Sequence, residues 1–251
     1  MEHSHYALAA NPTSEPSVYR STPQALYTEL GKTYEQAYSH DEGQIRSLQW
    51  LITHLPPNAT VLDMGCGTGV AASKMLSEAG FRVTGIDISP VMLACAREAV
   101  PGARFVEGDI LTSEPRSLLS SPPVADDQEE NGECRETGVD AIVAYFSLIG
   151  HVSQQDTRDF FARAHQFLKP GGVFVFGTVP LEGDQVVIRW MGRDFPSSGF
   201  STENTIKEIE KVGFEVLEYE EMMFLPKGRG GEDRWLRRSS CLFMRRKDNE
   251  I

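Results

Sequence analysis

The residues most able to do chemistry lie in one stretch of about fifty positions, and they are glycines and acids. Val61 to Gly69 reads VLDMGCGTG, with glycines at 65, 67 and 69 and an acid, Asp63, two places before the first. Glycines at this spacing let a chain turn sharply and let a ligand lie against bare backbone. Asp87 follows in GIDIS, 18 residues after Gly69, and Asp109 follows in EGDI. A carboxylate at Asp87 can take both hydroxyls of a ribose. One at Asp109 can accept a hydrogen bond from an adenine amino group. Asp63 would oppose a pyrophosphate but suits a ligand that carries an ammonium group. The spacing GxGxG also departs from the dinucleotide fingerprint GxGxxG.

Three acids can share one edge only if each ends a strand of one sheet, and the chain alternates accordingly. Short apolar strands over 60–63, 81–87, 103–107, 139–146 and 173–179 are separated by helices over 69–79, 89–100 and 154–168. Ser89-Pro90 and Ser201 are helix starts. A helix follows Ser201 to Val212. The last two strands, 214–224 and 235–245, are joined by KGRGGED, too tight for a crossover, so they must be antiparallel. The expected class is therefore α/β, a doubly wound, mostly parallel sheet. Residues 24–57 form a helical cap, 1–23 a flexible segment, and 24–251 one domain. Residues 111–138 hold seven acids and two arginines without apolar periodicity, and read as a disordered acidic insertion.

The sequence resembles the class I, Rossmann-like S-adenosylmethionine-dependent methyltransferases over about residues 25–246. VLDMGCGTG is similar to that family's first motif, GIDIS to its ribose acid, EGDI to its adenine contact and LKPGG to its turn before the fifth strand. The resemblance implies a seven-stranded sheet ordered 3-2-1-4-5-7-6 with strand seven antiparallel. It implies S-adenosyl-L-methionine as cofactor, held by Asp63, Gly65, Gly67, Gly69, Asp87 and Asp109. Ile88 and Met92 would flank the adenine and the Ile110 backbone would face its ring; Met92 reads equally as a core residue. Tyr34, or alternatively Tyr27, would reach the cofactor carboxylate. Tyr145 and Phe146 stand where the family faces the sulfonium and the acceptor.

Methyl transfer is an in-line displacement on an activated methyl, so the protein must mainly align the nucleophile and exclude water. If the acceptor must lose a proton, His151, in the loop after strand four, is the first candidate base, with His40 second. Trp190, Phe195 and Phe200, in an irregular aromatic segment, either wall an acceptor pocket or pack as a lid. The expected activity is methyl transfer to a small molecule. The alternative is a protein of this fold that binds the cofactor without transfer, as a pericyclic catalyst or regulatory module.

Composition bounds the rest. A net charge of −12 opposes a nucleic-acid partner. The longest apolar run, 141–149, is too short for a bilayer. The N-terminus lacks the pattern of a secretory signal. The four scattered cysteines suggest no metal site or disulfide framework, and a cytoplasmic location fits them. Oligomeric state is not legible.

Overall fold

The computed structural model describes residues 22–38, 41–113, 138–191, 193–224 and 237–247. Residues 1–21 of the segment expected to be flexible, most of the acidic insertion, the final turn and His40 lie outside the described residues.

A seven-stranded sheet forms the centre. Its strands are β1 (Thr60–Met64), β2 (Arg82–Asp87), β3 (Arg104–Glu107), β4 (Val139–Tyr145), β5 (Leu168–Thr178), β8 (Phe214–Phe224) and β9 (Arg237–Arg246). They run in the order β3-β2-β1-β4-β5-β9-β8. β9 is antiparallel to both β5 and β8, while the other neighbours are parallel. This is the expected order with the last two strands renumbered. The strands read as continuous apolar runs because both faces are covered.

Successive side chains point to opposite faces, so each central strand feeds two cores. On one face Leu62, Met64, Ile142, Phe174 and Phe176 pack against Phe160, Phe161, Ala164 and Phe167 of α6 (Gln154–Phe167). On the other, Val61, Val83, Ala141, Val143 and Val175 pack against Leu48 and Leu51 of α3 (Glu42–His54) and Leu76 of α4 (Ala72–Glu78). Phe160 and Phe161 are fully buried, and truncating either to alanine would cost about 3–5 kcal/mol.

Local signals set the helix starts. Ser89 caps α5 (Pro90–Ala99) with proline at its first position, and Ser201 caps α7 (Thr202–Lys211). Asp41 caps α3 by accepting the Gln44 N–H at 2.8 Å. Two helices, α1 (Pro23–Leu30) and α2 (Lys32–Tyr38), precede α3 and complete the N-terminal cap.

Two segments depart from expectation. The aromatic stretch before α7 is not irregular: Gly183–Trp190 and Arg193–Gly199 pair as an antiparallel hairpin, β6 and β7, outside the main sheet. The KPGG segment is the first part of β5, entered through a shift in register between Val139 and Ala141.

Candidate functional site

β1 delivers the chain into the glycine loop. Gly65, Gly67 and Gly69 all have positive φ (80°, 54° and 72°), which side chains rarely adopt. A Cβ on Gly65 would stand 2.3 Å from the Cβ of Ser147, so this glycine is also required by close approach. The Gly65 and Cys66 N–H groups donate to the Ile86 carbonyl, and the Gly67 N–H donates to Oδ2 of Asp87 at 2.8 Å. The end of β2 thus shapes the loop. The other Asp87 oxygen accepts the Ser89 N–H at 2.9 Å, fixing the carboxylate at the mouth of α5. Burial raises its pKa, against the pull of these N–H groups.

Asp63 is deeper. Its Oδ2 accepts from Ser73 Oγ on α4 at 2.6 Å, and burial, with Asp87 nearby, pushes its pKa to about 7. Asp109 follows β3 and accepts the Leu111 N–H at 2.8 Å, which turns the chain. Met92 is buried in α5, Ile88 is half-buried, and Ile110 packs against the α6-side core.

The arrangement suits an adenosyl ligand carrying an ammonium group. Space opens in front of Gly67, where a Cβ would meet nothing within 4 Å. Beside the loop, the buried Ser147 Oγ has no hydrogen-bond partner among the described residues.

A partly enclosed cavity lies by the ends of β4 and β5. Its walls are Tyr27, Tyr34 and Tyr38 from the cap, Phe146 after β4, and Trp190 and Phe195 from the hairpin. Ile149, Val179, Leu181 and Ile188 add aliphatic surface, and Asp41, Ser197, Ser198 and Ser239 are its polar members. The rings brace one another. Trp190 sits 6.5 Å or less from Tyr27, Tyr34, Tyr38 and Phe195, and its Nε1 donates to the Tyr38 hydroxyl at 2.5 Å. Burial and the charge of Asp87 raise the Tyr27 and Tyr34 hydroxyls well above the ordinary range, so both stay neutral. Phe146 ties the cavity to the glycine loop, because the next residue, Ser147, packs against Gly65.

Phe146 reaches the cavity by way of a left-handed backbone, φ 56°, held by its N–H on the Gly177 carbonyl. A bulky residue in this region is strained and needs support from its surroundings.

Several sequence-derived site residues stand elsewhere. Tyr145, one residue before Phe146, is buried in the α3-side core and hydrogen-bonds Ser47 of α3 at 2.6 Å, so its hydroxyl does not line the cavity. His151 stacks on Phe195 at 5.7 Å, one ring behind the wall, with Nε2 buried and without a partner among the described residues. Burial lowers its pKa. Phe200 lies under the Arg158 guanidinium, 4.9 Å from it, away from Trp190 and Phe195. Conversely, Tyr38, Asp41 and Ser239 line the cavity and were not singled out. Tyr38 continues the spacing of Tyr27 and Tyr34, a signal that could have exposed it.

Among the described residues, no group of three metal-ligating side chains occurs. No helix among them is long and apolar enough to cross a membrane.

Residues 62–174 match the family model described as a methyltransferase domain. The Bacillus subtilis "Putative methyltransferase YqeM" is 27% identical over 154 residues, 60% of this chain and 54% of that protein. The trans-aconitate 2-methyltransferase of Escherichia coli O1:K1 / APEC is 43% identical over 60 residues, 24% of each chain. The chain thus spans about half or less of these curated relatives. In fold it is similar to the Burkholderia thailandensis 1,6-didemethyltoxoflavin-N1-methyltransferase, solved with 1,6-didemethyltoxoflavin and S-adenosylhomocysteine. That likeness has a TM-score of 0.60 at 19% identity, covering 95% of this chain and 93% of that one. Sheet order and glycine loop are those of the class I, Rossmann-like methyltransferase fold, and residues 62–174 match the methyltransferase-domain model.

Proposed function

We propose that this protein transfers the methyl group of S-adenosyl-L-methionine to a small molecule bound in the aromatic cavity. The observation that carries this reading is the position of the cavity. Its lining residues Phe146 and Tyr27 are followed by Ser147, which packs against Gly65, and Thr28, which hydrogen-bonds Ser89, while the cap and the hairpin close it. Side chains from the cap, the loop after β4 and the hairpin surround the cavity, which suits a small ligand. The structural neighbour solved with 1,6-didemethyltoxoflavin supports a small acceptor.

When bound, S-adenosylmethionine supplies a methyl already activated by its sulfonium. The backbone of Gly65 to Gly69, Asp87 and Asp109 would hold its amino-acid and adenosine parts, with Ser147 Oγ a further polar contact. Phe146 stands between the two halves of the site, and Trp190, Phe195 and the tyrosines would exclude water and orient the acceptor. The described lining offers neutral phenols and no histidine, so it suits a nucleophile whose lone pair is available at neutral pH.

The test is a screen of fractionated small metabolites with methyl-labelled S-adenosylmethionine. Label transferred to a small molecule, with equal release of S-adenosylhomocysteine, is the expected result. Label found only in protein or RNA would overturn it.

A further inference from the structure

The end of β4 breaks the rule of the strand. Successive strand side chains point to opposite faces, so Phe146 should point away from the face that Tyr145 takes. Instead both pack on the α3-side core, and Phe146 also lines the cavity. The left-handed backbone at Phe146, φ 56°, makes that exchange. Its neighbours hold it there. Tyr145 is buried and tied to Ser47, and Leu148 is buried in the α6-side core. Between them the Phe146 N–H donates to the Gly177 carbonyl at 2.8 Å. A Cβ on Gly177 would stand 2.5 Å from Cδ1 of Tyr145, so this glycine makes room for the ring that anchors the turn. Strain of this kind persists only where the surroundings over-determine it, and it gathers where a side chain must be aimed.

The side chain aimed here is that of Ser147. Its Cβ fills the space that a side chain on Gly65 would need. Its Oγ is closed off from solvent and has no hydrogen-bond partner among the described residues. A buried hydroxyl without a partner is costly, and a ligand atom at the glycine loop would relieve it. An ordinary strand conformation at Phe146 would carry Ser147 away from Gly65.

Resting on the reading that the glycine loop holds S-adenosylmethionine and the cavity its acceptor, we propose that Phe146 is a positioning residue that acts through its backbone. Its left-handed turn aims the Ser147 hydroxyl at the cofactor, while its ring faces the acceptor. One φ angle thus sets a contact on each side of the site.

Binding of S-adenosylhomocysteine to the full chain, measured by calorimetry, tests this without any acceptor. Ser147→Ala should weaken it about 3- to 10-fold, the worth of one neutral hydrogen bond. Phe146→Gly removes the ring but adopts a positive φ freely, and should stay within about twofold of wild type. Phe146→Ala removes the same ring and leaves the strain without the ring's support, so it should weaken binding as Ser147→Ala does. Added to Ser147→Ala it should cost nothing more, because it acts through that hydroxyl. Denaturant melts of the ligand-free variants give a second readout: Phe146→Gly should be more stable than Phe146→Ala, the reverse of the usual order. Wild-type affinity in Ser147→Ala, or a loss in Phe146→Gly as large as in Ser147→Ala, would overturn the proposal even if Phe146→Ala did not fold. Wild-type affinity in Phe146→Ala, additive losses in the double variant, or the usual order of stability would overturn it as well. Failure of the methyl-transfer reading looks different: S-adenosylhomocysteine binds as described, yet no small molecule acquires label in the metabolite screen.

Discussion

The two halves of the site are built on opposite plans. The glycine-loop half, from β1 to β3, uses backbone and fixed carboxylates contributed by about fifty consecutive residues. The cavity half is assembled from side chains on the cap, the loop after β4, the hairpin and β9, which are far apart in sequence. The first plan tolerates little change, because backbone has no substitute. The second is a set of rings that can be exchanged one at a time. Substitutions should therefore separate the halves, in effect as well as in size.

The largest effect should come from Gly65→Ala. The new Cβ would collide with Ser147, and the loop would have to leave its positive φ. Loss of S-adenosylmethionine binding by more than about 100-fold is expected, together with a lower Tm. Retained affinity would show that the loop can re-form elsewhere. Asp87→Ala comes next, weakening cofactor binding by about 1.5–3 kcal/mol, the worth of hydrogen bonds to a charged group. Calorimetry on the folded variant measures it.

Asp63 gives a smaller, pH-dependent effect. Its folded pKa is about 7 against 3.8 unfolded, so the native state keeps a proton that the unfolded chain has lost. Stability must then fall as pH rises from about 4 through 7, and level off above. Between pH 6 and 8 the loss should be about 1.4 kcal/mol for this one proton. Asp87 is raised in the same direction and adds to the slope. Denaturant melts of wild type and Asp63→Asn check it: the variant should show the shallower pH dependence.

The smallest effect separates a wall from its support. Trp190→Ala removes a ring that lines the cavity and should raise the acceptor KM about tenfold with little change in kcat. His151→Asn leaves the lining intact and should cost under about fivefold, with a flat rate between pH 6 and 9. A loss of about 10² or more in kcat would restore His151 as a base.

The same contrast explains what could be read from the sequence. Strands buried on both faces announce themselves as apolar runs, and Gly65, Asp87 and Asp109 mark their ends, so sheet order and glycine loop were legible. The hairpin was not. Pro196 interrupts β7, and Arg189 and Asp194 place a charged pair across the strands, which hides the pattern of a sheet. Position along a strand also misled. Tyr145 and Phe146 are neighbours, yet strand alternation sends one to the core and a left-handed residue sends the other to the cavity. Asp41 could be foreseen as a helix cap, but only the return of β9 beside it makes it part of a cavity.

One element belongs to both halves. Helix α1 is fastened to the mouth of α5 by Gln24, which donates to the Ile88 carbonyl at 3.1 Å, and by Thr28 and Ser89, 2.9 Å apart. On its other side Leu26 and Leu30 pack with Ile188, Trp190 and Phe195, and Glu29 pairs with Arg193 at 2.5 Å. A single shutter therefore hangs over two chambers, hinged to each. Under the proposed function, both ligands would then leave past the same helix. Opening would pace turnover, and the expected result is a burst of S-adenosylhomocysteine in the first cycle, which rapid-quench kinetics would measure; a linear onset would show that α1 sets no such limit.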